Sequence, residues 1–158
     1  MIEKELKENF IFNWVLKNKL AVGTSPIKKE HINLLKSKNV KNILGLCSEN
    51  EVKWHIELED KFLCKRVFLP DSKENKLPTN SQITKAFRIL RSFIEDDITF
   101  VHCFASIERS PLLCIMIIMD KYNLNLEESL DYVKKMHNFT NPRNKQLFFI
   151  RNLNFKNI

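Results

Sequence analysis

The sequence predicts an α/β fold, with a central, largely parallel sheet flanked by helices. Short apolar, β-branched segments alternate along the chain with segments whose apolar residues recur at helical spacing. One stretch, Leu112 to Met119, is apolar all round, as a helix buried on every side must be. At 158 residues the chain is sized for a single domain, 1–158, with a sizeable core. Its hydrophobic fraction of 44% and charged fraction of 28% suit a globular protein with a solvated surface.

In chain order, Phe10 to Leu16 and Lys19 to Val22 read as two strands around a Lys17-Asn18 turn. Ile27 to Lys38 reads as a helix with Ile27, His31, Leu34 and Leu35 on one face. Val40 to Leu46 is a buried strand. Glu49 to Glu59 suits a helix turning Val52, Trp54 and Ile56 inward, and Phe62 to Leu69 is a strand ended by Pro70. Thr79 or Asn80 can cap a long helix whose Ile83, Ala86, Phe87, Leu90 and Ile94 share a face. Ile98 to His102 is a compact strand. Ser110-Pro111 opens the buried helix, with proline where its missing N–H costs nothing. Leu126, Leu130 and Val133 mark a further helical face, and Pro142 starts a last helix carrying Leu147, Phe148 and Ile150.

The formal charge of +7 is unevenly placed: no acid follows Asp131, whereas Lys134, Lys135, Arg143, Lys145, Arg151 and Lys156 do. Such a face attracts phosphorylated or nucleic-acid partners through its field, though a lysine-rich solvated surface accounts for it equally. The longest apolar run is far short of the roughly 20 residues of a membrane span. Met1-Ile2-Glu3-Lys4-Glu5 offers no apolar signal core, so a cytoplasmic protein is expected; a monomer is expected as well. Cys47, Cys64, Cys103 and Cys114 form neither a zinc knuckle nor a disulfide framework, and His31, His55, His102 and His137 complete no metal spacing with them. Three of these thiols are expected to be buried small apolar groups; Cys103 is the exception.

Chemistry concentrates in Val101-His102-Cys103-Phe104-Ala105-Ser106-Ile107-Glu108-Arg109-Ser110-Pro111. Cys103 stands where an apolar strand ends, and Arg109 where a proline-opened helix begins. A short loop wrapping into a helix N-terminus points backbone N–H groups inward and adds the positive end of the helix dipole. Phe104, Ala105, Ser106, Ile107 and Glu108 would thus cradle a phosphate dianion, and the same field stabilises a thiolate able to attack phosphorus without a separate base. Arg109 offers a planar fork for two phosphate oxygens and for the charge of an in-line transition state.

At these residues the chain resembles the protein tyrosine phosphatase superfamily, whose signature is His-Cys-x5-Arg-Ser/Thr; its length and flanks look most like the compact dual-specificity branch. The resemblance runs from about Trp14 to Ile150 and includes Leu20-Ala21-Val22-Gly23, Val40 to Leu46, and Asn141-Pro142-Arg143 with Gln146. It implies a phosphotyrosine-phosphatase-like fold and a phosphocysteine mechanism with no cofactor or metal. It also implies that Ser110 helps expel the thiolate and that His102 orients the loop. In the family an aspartate on a separate loop protonates the leaving group. Asp71 follows Leu69-Pro70 at a strand end, 32 residues before Cys103, close to the family's spacing. The bland reading of Asp71 is a turn residue after proline. Asp96 and Asp97 precede the strand Ile98 to His102 and so lie some ~16 Å off. Glu74 is the fallback donor.

The family usually has glycine where this chain has Ser106; if that position needs positive φ, serine costs on the order of 1–2 kcal/mol. A phosphorylated protein is the substrate the resemblance implies. A phosphate-binding pseudophosphatase is the alternative, as is a phosphatase of RNA 5′-phosphates, phosphoinositides or phosphosugars. Cys64 and Cys114 are conceivable redox partners of Cys103, and a sulfurtransferase with a persulfide at Cys103 is a further reading.

Overall fold

The computed structural model describes residues 9–72 and 76–158. β1 (Phe12–Leu16) and β2 (Leu20–Gly23) form an antiparallel hairpin, turned by Asn18 at φ 58°. α1 (Lys29–Ser37), β3 (Asn42–Gly45), α2 (Leu58–Lys61) and β4 (Leu63–Arg66) follow. After them come α3 (Asn80–Asp96), β5 (Thr99–His102), α4 (Arg109–Tyr122), α5 (Leu126–Met136) and α6 (Asn144–Arg151), with a closing 3-10 turn at Phe155–Asn157. The strands lie in the order β1-β2-β5-β3-β4; β5 is central and runs parallel to both neighbours, and only the edge pair β1–β2 is antiparallel.

Strand side chains alternate between two apolar layers, which is why the inner strands are buried at every position. Ala21, Ile43 and Phe100 face Ile32 and Leu35 of α1 and Leu58 of α2. Val22, Leu44 and Val101 face the larger core built by α3 to α6. α4 is enclosed there, with Arg109 through Met119 all buried. Thr79 caps α3 by accepting from Gln82 N, and Ile83, Ala86, Phe87, Leu90 and Ile94 are buried as their spacing requires.

Several elements depart from the sequence reading. Glu49 to Glu59 is not a helix; only Leu58–Lys61 is helical, and Ile56 is 88% exposed. Arg66 reaches across from β4 and donates to the carbonyls of Cys47 and Val52, both at 2.9 Å, while its guanidinium stacks 3.8 Å over Trp54. The Val52 carbonyl is an acceptor that a helix over this segment would use, so tertiary demand overrides the apolar spacing. α1 starts only at Lys29, leaving Ile27 outside it and exposed, and its buried pair is Ile32 with Leu35. His31 instead accepts from the N–H groups of Ile27 and Lys28 at the helix start. In α6 the buried residues are Gln146 and Ile150, four apart; Phe148 falls on the opposite face and is exposed. Cys47 and Cys114 are buried as expected, but Cys64 is only half-buried on the edge strand.

Candidate active site

β5 ends at His102, and the chain then wraps through Cys103 to Glu108 into the first turn of α4. Neighbouring elements hold the loop's carbonyls from outside. Leu46 N donates to His102 O (2.9 Å), Ser25 Oγ to Cys103 O (3.3 Å), His137 Nε2 to Ser106 O (2.6 Å) and Asn141 N to Ile107 O (2.8 Å). In a trans peptide the C=O and the following N–H point opposite ways, so the amides of Phe104, Ile107 and Glu108 turn away from those partners. The cavity on the inner side, about 40 Å³, is lined by Asp71, Cys103, Ala105, Ile107, Glu108 and Arg109.

Cys103 is 2% exposed, and its Sγ lies 3.2 Å from Ser110 Oγ at the N-terminal turn of α4. The Arg109 guanidinium is buried beside it. Nη1 donates to Glu51 Oε2 at 2.9 Å and to the Leu69 carbonyl at 3.1 Å; Nη2 donates to Glu51 Oε1 and, at 3.3 Å, to Asp71 Oδ2. Burial works against this charge, but the Glu51 carboxylate outweighs it and holds the Arg109 pKa above the ordinary guanidinium value. The structure therefore brings together Cys103, Arg109, Asp71 and Ser110. Glu74, the fallback donor, lies outside the described residues.

His102 is fully buried. Trp54 Nε1–H donates to its Nε2 at 2.8 Å, so the ring proton sits on Nδ1, which is 3.1 Å from Ser25 Oγ and 3.4 Å from the Cys103 carbonyl. Burial, with the Arg66 and Arg109 cations nearby, pushes its pKa down to about 3, against the upward pull of the Cys103 carbonyl. A neutral ring of fixed tautomer thus lies against the start of the loop, between Trp54 and Ser25. The two glycines of the chain flank it: Gly23 and Gly45 both register with His102 across the sheet. A Cβ on Gly45 would lie 2.6 Å from the Trp54 ring and 2.9 Å from His102 Nε2, so this contact needs a glycine.

Ser106 sits at φ 57°, the left-handed conformation that glycine adopts without penalty. Its side chain is buried and paired: Oγ lies 3.3 Å from Ser110 Oγ and 3.1 Å from His137 Nε2. Glu108 Oε1 accepts from Ser72 Oγ (2.8 Å) and Arg143 Nε (3.0 Å), tying the loop to the segment that carries Asp71.

Residues 24–156 match the family described as "Dual specificity phosphatase, catalytic domain". The chain belongs to this family. A viral relative, "Putative tyrosine-protein phosphatase AMV078" of Amsacta moorei entomopoxvirus, is 39% identical over 57 residues. That stretch covers 36% of this chain and spans about a third (32%) of the relative's length. Among solved structures, PTPMT1 in complex with PI(5)P is 16% identical with a TM-score of 0.74, covering 89% of this chain and 92% of that one. The human tyrosine phosphatase-like serine/threonine/tyrosine-interacting protein is 17% identical with a TM-score of 0.73, covering 88% and 92%. At these identities the likeness is one of fold. No helix among the described residues of this dual-specificity phosphatase domain is long and apolar enough to cross a membrane.

Sequence reasoning missed three site residues of the phosphatase domain. Glu51 grips Arg109, Trp54 fixes His102, and His137 holds Ser106. Each lies far along the chain from its partner and carries no local pattern. The one available signal was electrostatic: a buried guanidinium demands a carboxylate, and several acids could have supplied it.

Proposed function

We propose that the chain hydrolyses phosphomonoesters of phosphorylated proteins, on tyrosine, serine or threonine, through a phosphocysteine intermediate. In this reading the Cys103 thiolate attacks phosphorus in line, a new S–P bond forms, and the P–O bond to the leaving group breaks. Asp71 gives that oxygen its proton. Water then attacks phosphorus, yields its proton to Asp71, and the S–P bond breaks with its electron pair returning to sulfur. Ser110 O–H donates to the sulfur as it leaves. Arg109 and the amides of Phe104 to Glu108 hold the equatorial oxygens, whose charge grows most in the transition state. No metal or cofactor enters the scheme, and the cytoplasm is the compartment that suits a free thiol.

The observation that carries the reading is the buried Arg109 guanidinium, held by Glu51, beside a thiol that shares a hydrogen bond with Ser110 at a helix N-terminus. The test is release of inorganic phosphate from an aryl phosphate and from phosphotyrosyl and phosphoseryl peptides. Cys103→Ser is expected to abolish release yet keep affinity for a phosphate analogue. Asp71→Asn is expected to slow substrates with poor leaving groups by roughly 10²-fold or more, and good ones far less. Turnover that survives Cys103→Ser would refute the mechanism. Wild-type protein that binds the analogue without releasing phosphate would make it a pseudophosphatase.

A further inference from the structure

One hydrogen-bond chain runs from strand β1 to the sulfur. Asn13 Nδ2 lies 2.9 Å from His137 Nδ1. An amide nitrogen can only donate, so Nδ1 accepts and the proton of the neutral ring sits on Nε2. Burial keeps that ring neutral, lowering its pKa against the opposing pull of the Ser106 carbonyl. Nε2–H then faces both oxygens of Ser106, the carbonyl at 2.6 Å and Oγ at 3.1 Å. With an N–H donor on one side, the Ser106 hydroxyl turns its own hydrogen toward Ser110 Oγ at 3.3 Å. Ser110 in turn points its hydrogen at Cys103 Sγ, 3.2 Å away. Every donor faces the same way, and the sequence of donors ends on the group that becomes an anion.

We propose that Asn13, His137 and Ser106 are positioning residues that aim the Ser110 hydroxyl at the Cys103 sulfur for breakdown of the phosphocysteine. The inference rests on the phosphocysteine reading and deepens it. In the second half-reaction the leaving group is the thiolate, and an aligned O–H stabilises the electron pair that returns to sulfur. In the first half-reaction the same hydrogen bond stabilises the ground-state thiolate, so losing it costs little there. The strained serine at φ 57° thereby acquires a function: its backbone would be easier as glycine, but its hydroxyl is the link between His137 and Ser110.

Two measurements test this. The first needs no turnover. The imidazole ¹⁵N spectrum of the wild-type protein should show His137 protonated on Nε2 with an unprotonated Nδ1, and Asn13→Ala should shift the Nδ1 resonance, which loses its donor, while the Ser106 carbonyl keeps the proton on Nε2. A proton on Nδ1 in the wild type would overturn the chain's direction, whatever the protein does to phosphate. The second is rapid-quench kinetics of Ser106→Gly, a change the positive φ welcomes, so folding is not at risk. Release of the aryl alcohol in the first turnover should stay within about twofold of wild type. Steady-state kcat should fall on the order of fivefold, the worth of one net hydrogen bond. A burst should appear and KM should drop with kcat. A kcat equal to or above wild type in Ser106→Gly would overturn the assignment. Absence of Cys103-dependent turnover in the wild type would count against the phosphocysteine reading instead, and the tautomer would still decide the chain.

Discussion

His102 and His137 are both fully buried, both neutral, and both hold the same seven-residue loop, one at each side. They do so by opposite means. His102 sits on the central strand between two glycines and receives its donor, Trp54, from a loop packed against the face that α1 covers. His137 caps the end of α5, takes its donor from Asn13 on the edge strand, and passes its own N–H to Ser106. A helix C-terminus favours a protonated imidazole, yet burial prevails at His137 and its pKa is lowered. The contacts of His102 stop at the Cys103 carbonyl and Ser25, whereas those of His137 continue through hydroxyls to sulfur. The same side chain thus anchors the loop's backbone on one side and its chemistry on the other.

That contrast can be broken first at Gly45. Gly45→Ala puts a methyl 2.6 Å from Trp54 and 2.9 Å from His102, where strand and ring both have little room to shift. Overpacking of this kind is expected to cost about 3 kcal/mol in urea unfolding; a loss under 1 kcal/mol would mean that the Trp54 side is softer than its packing indicates.

Acid should act next. The unfolded chain's histidines bind protons near pH 6.5, whereas folded His102 stays neutral down to about 3. Folded protein binds fewer protons in that window, so its stability is present above pH 6.5 and falls as pH drops toward 3. Between pH 7 and 5 this group alone should remove about 2 kcal/mol, with His137 adding in the same direction. A flat unfolding free energy across that range would contradict the assignment of both rings as buried and neutral.

The smallest effect belongs to Trp54→Phe, which keeps an aromatic face under Arg66 but removes the donor to His102 Nε2. We expect a loss of about 1 kcal/mol in stability. We also expect the His102 ring to lose its single tautomer in the ¹⁵N spectrum, and an unchanged tautomer would show that Ser25 suffices to hold it.

Much of the scaffold was legible because its elements are locally determined. The strand Ile98 to His102, the capped α3 and the apolar α4 announce themselves through runs, spacing and a capping residue, and each lies within a residue or two of its reading. The candidate loop was legible for the same reason, being contiguous from Cys103 to Ser110; the sequence leaves open whether Ser106 needs a positive φ, and the fold places it there. The segment from Glu49 to Glu57 was not, because its conformation answers to Arg66 and to a histidine 48 residues beyond Trp54. Asn13 and His137 are separated by 124 residues, and their pairing exists only once β1 and the end of α5 are packed together. Glu51 was invisible among many surface acids until the fold set it against Arg109.

The grip on Arg109 has a consequence for affinity. Its Nη hydrogens already go to Glu51, to the Leu69 carbonyl and to Asp71. In the proposed reaction an arriving dianion would trade places with a resident carboxylate; Arg109 holds Glu51 through both Nη groups and Asp71 through Nη2 alone, at 3.3 Å. Entry of the ester would then release the carboxyl proposed to protonate its leaving group.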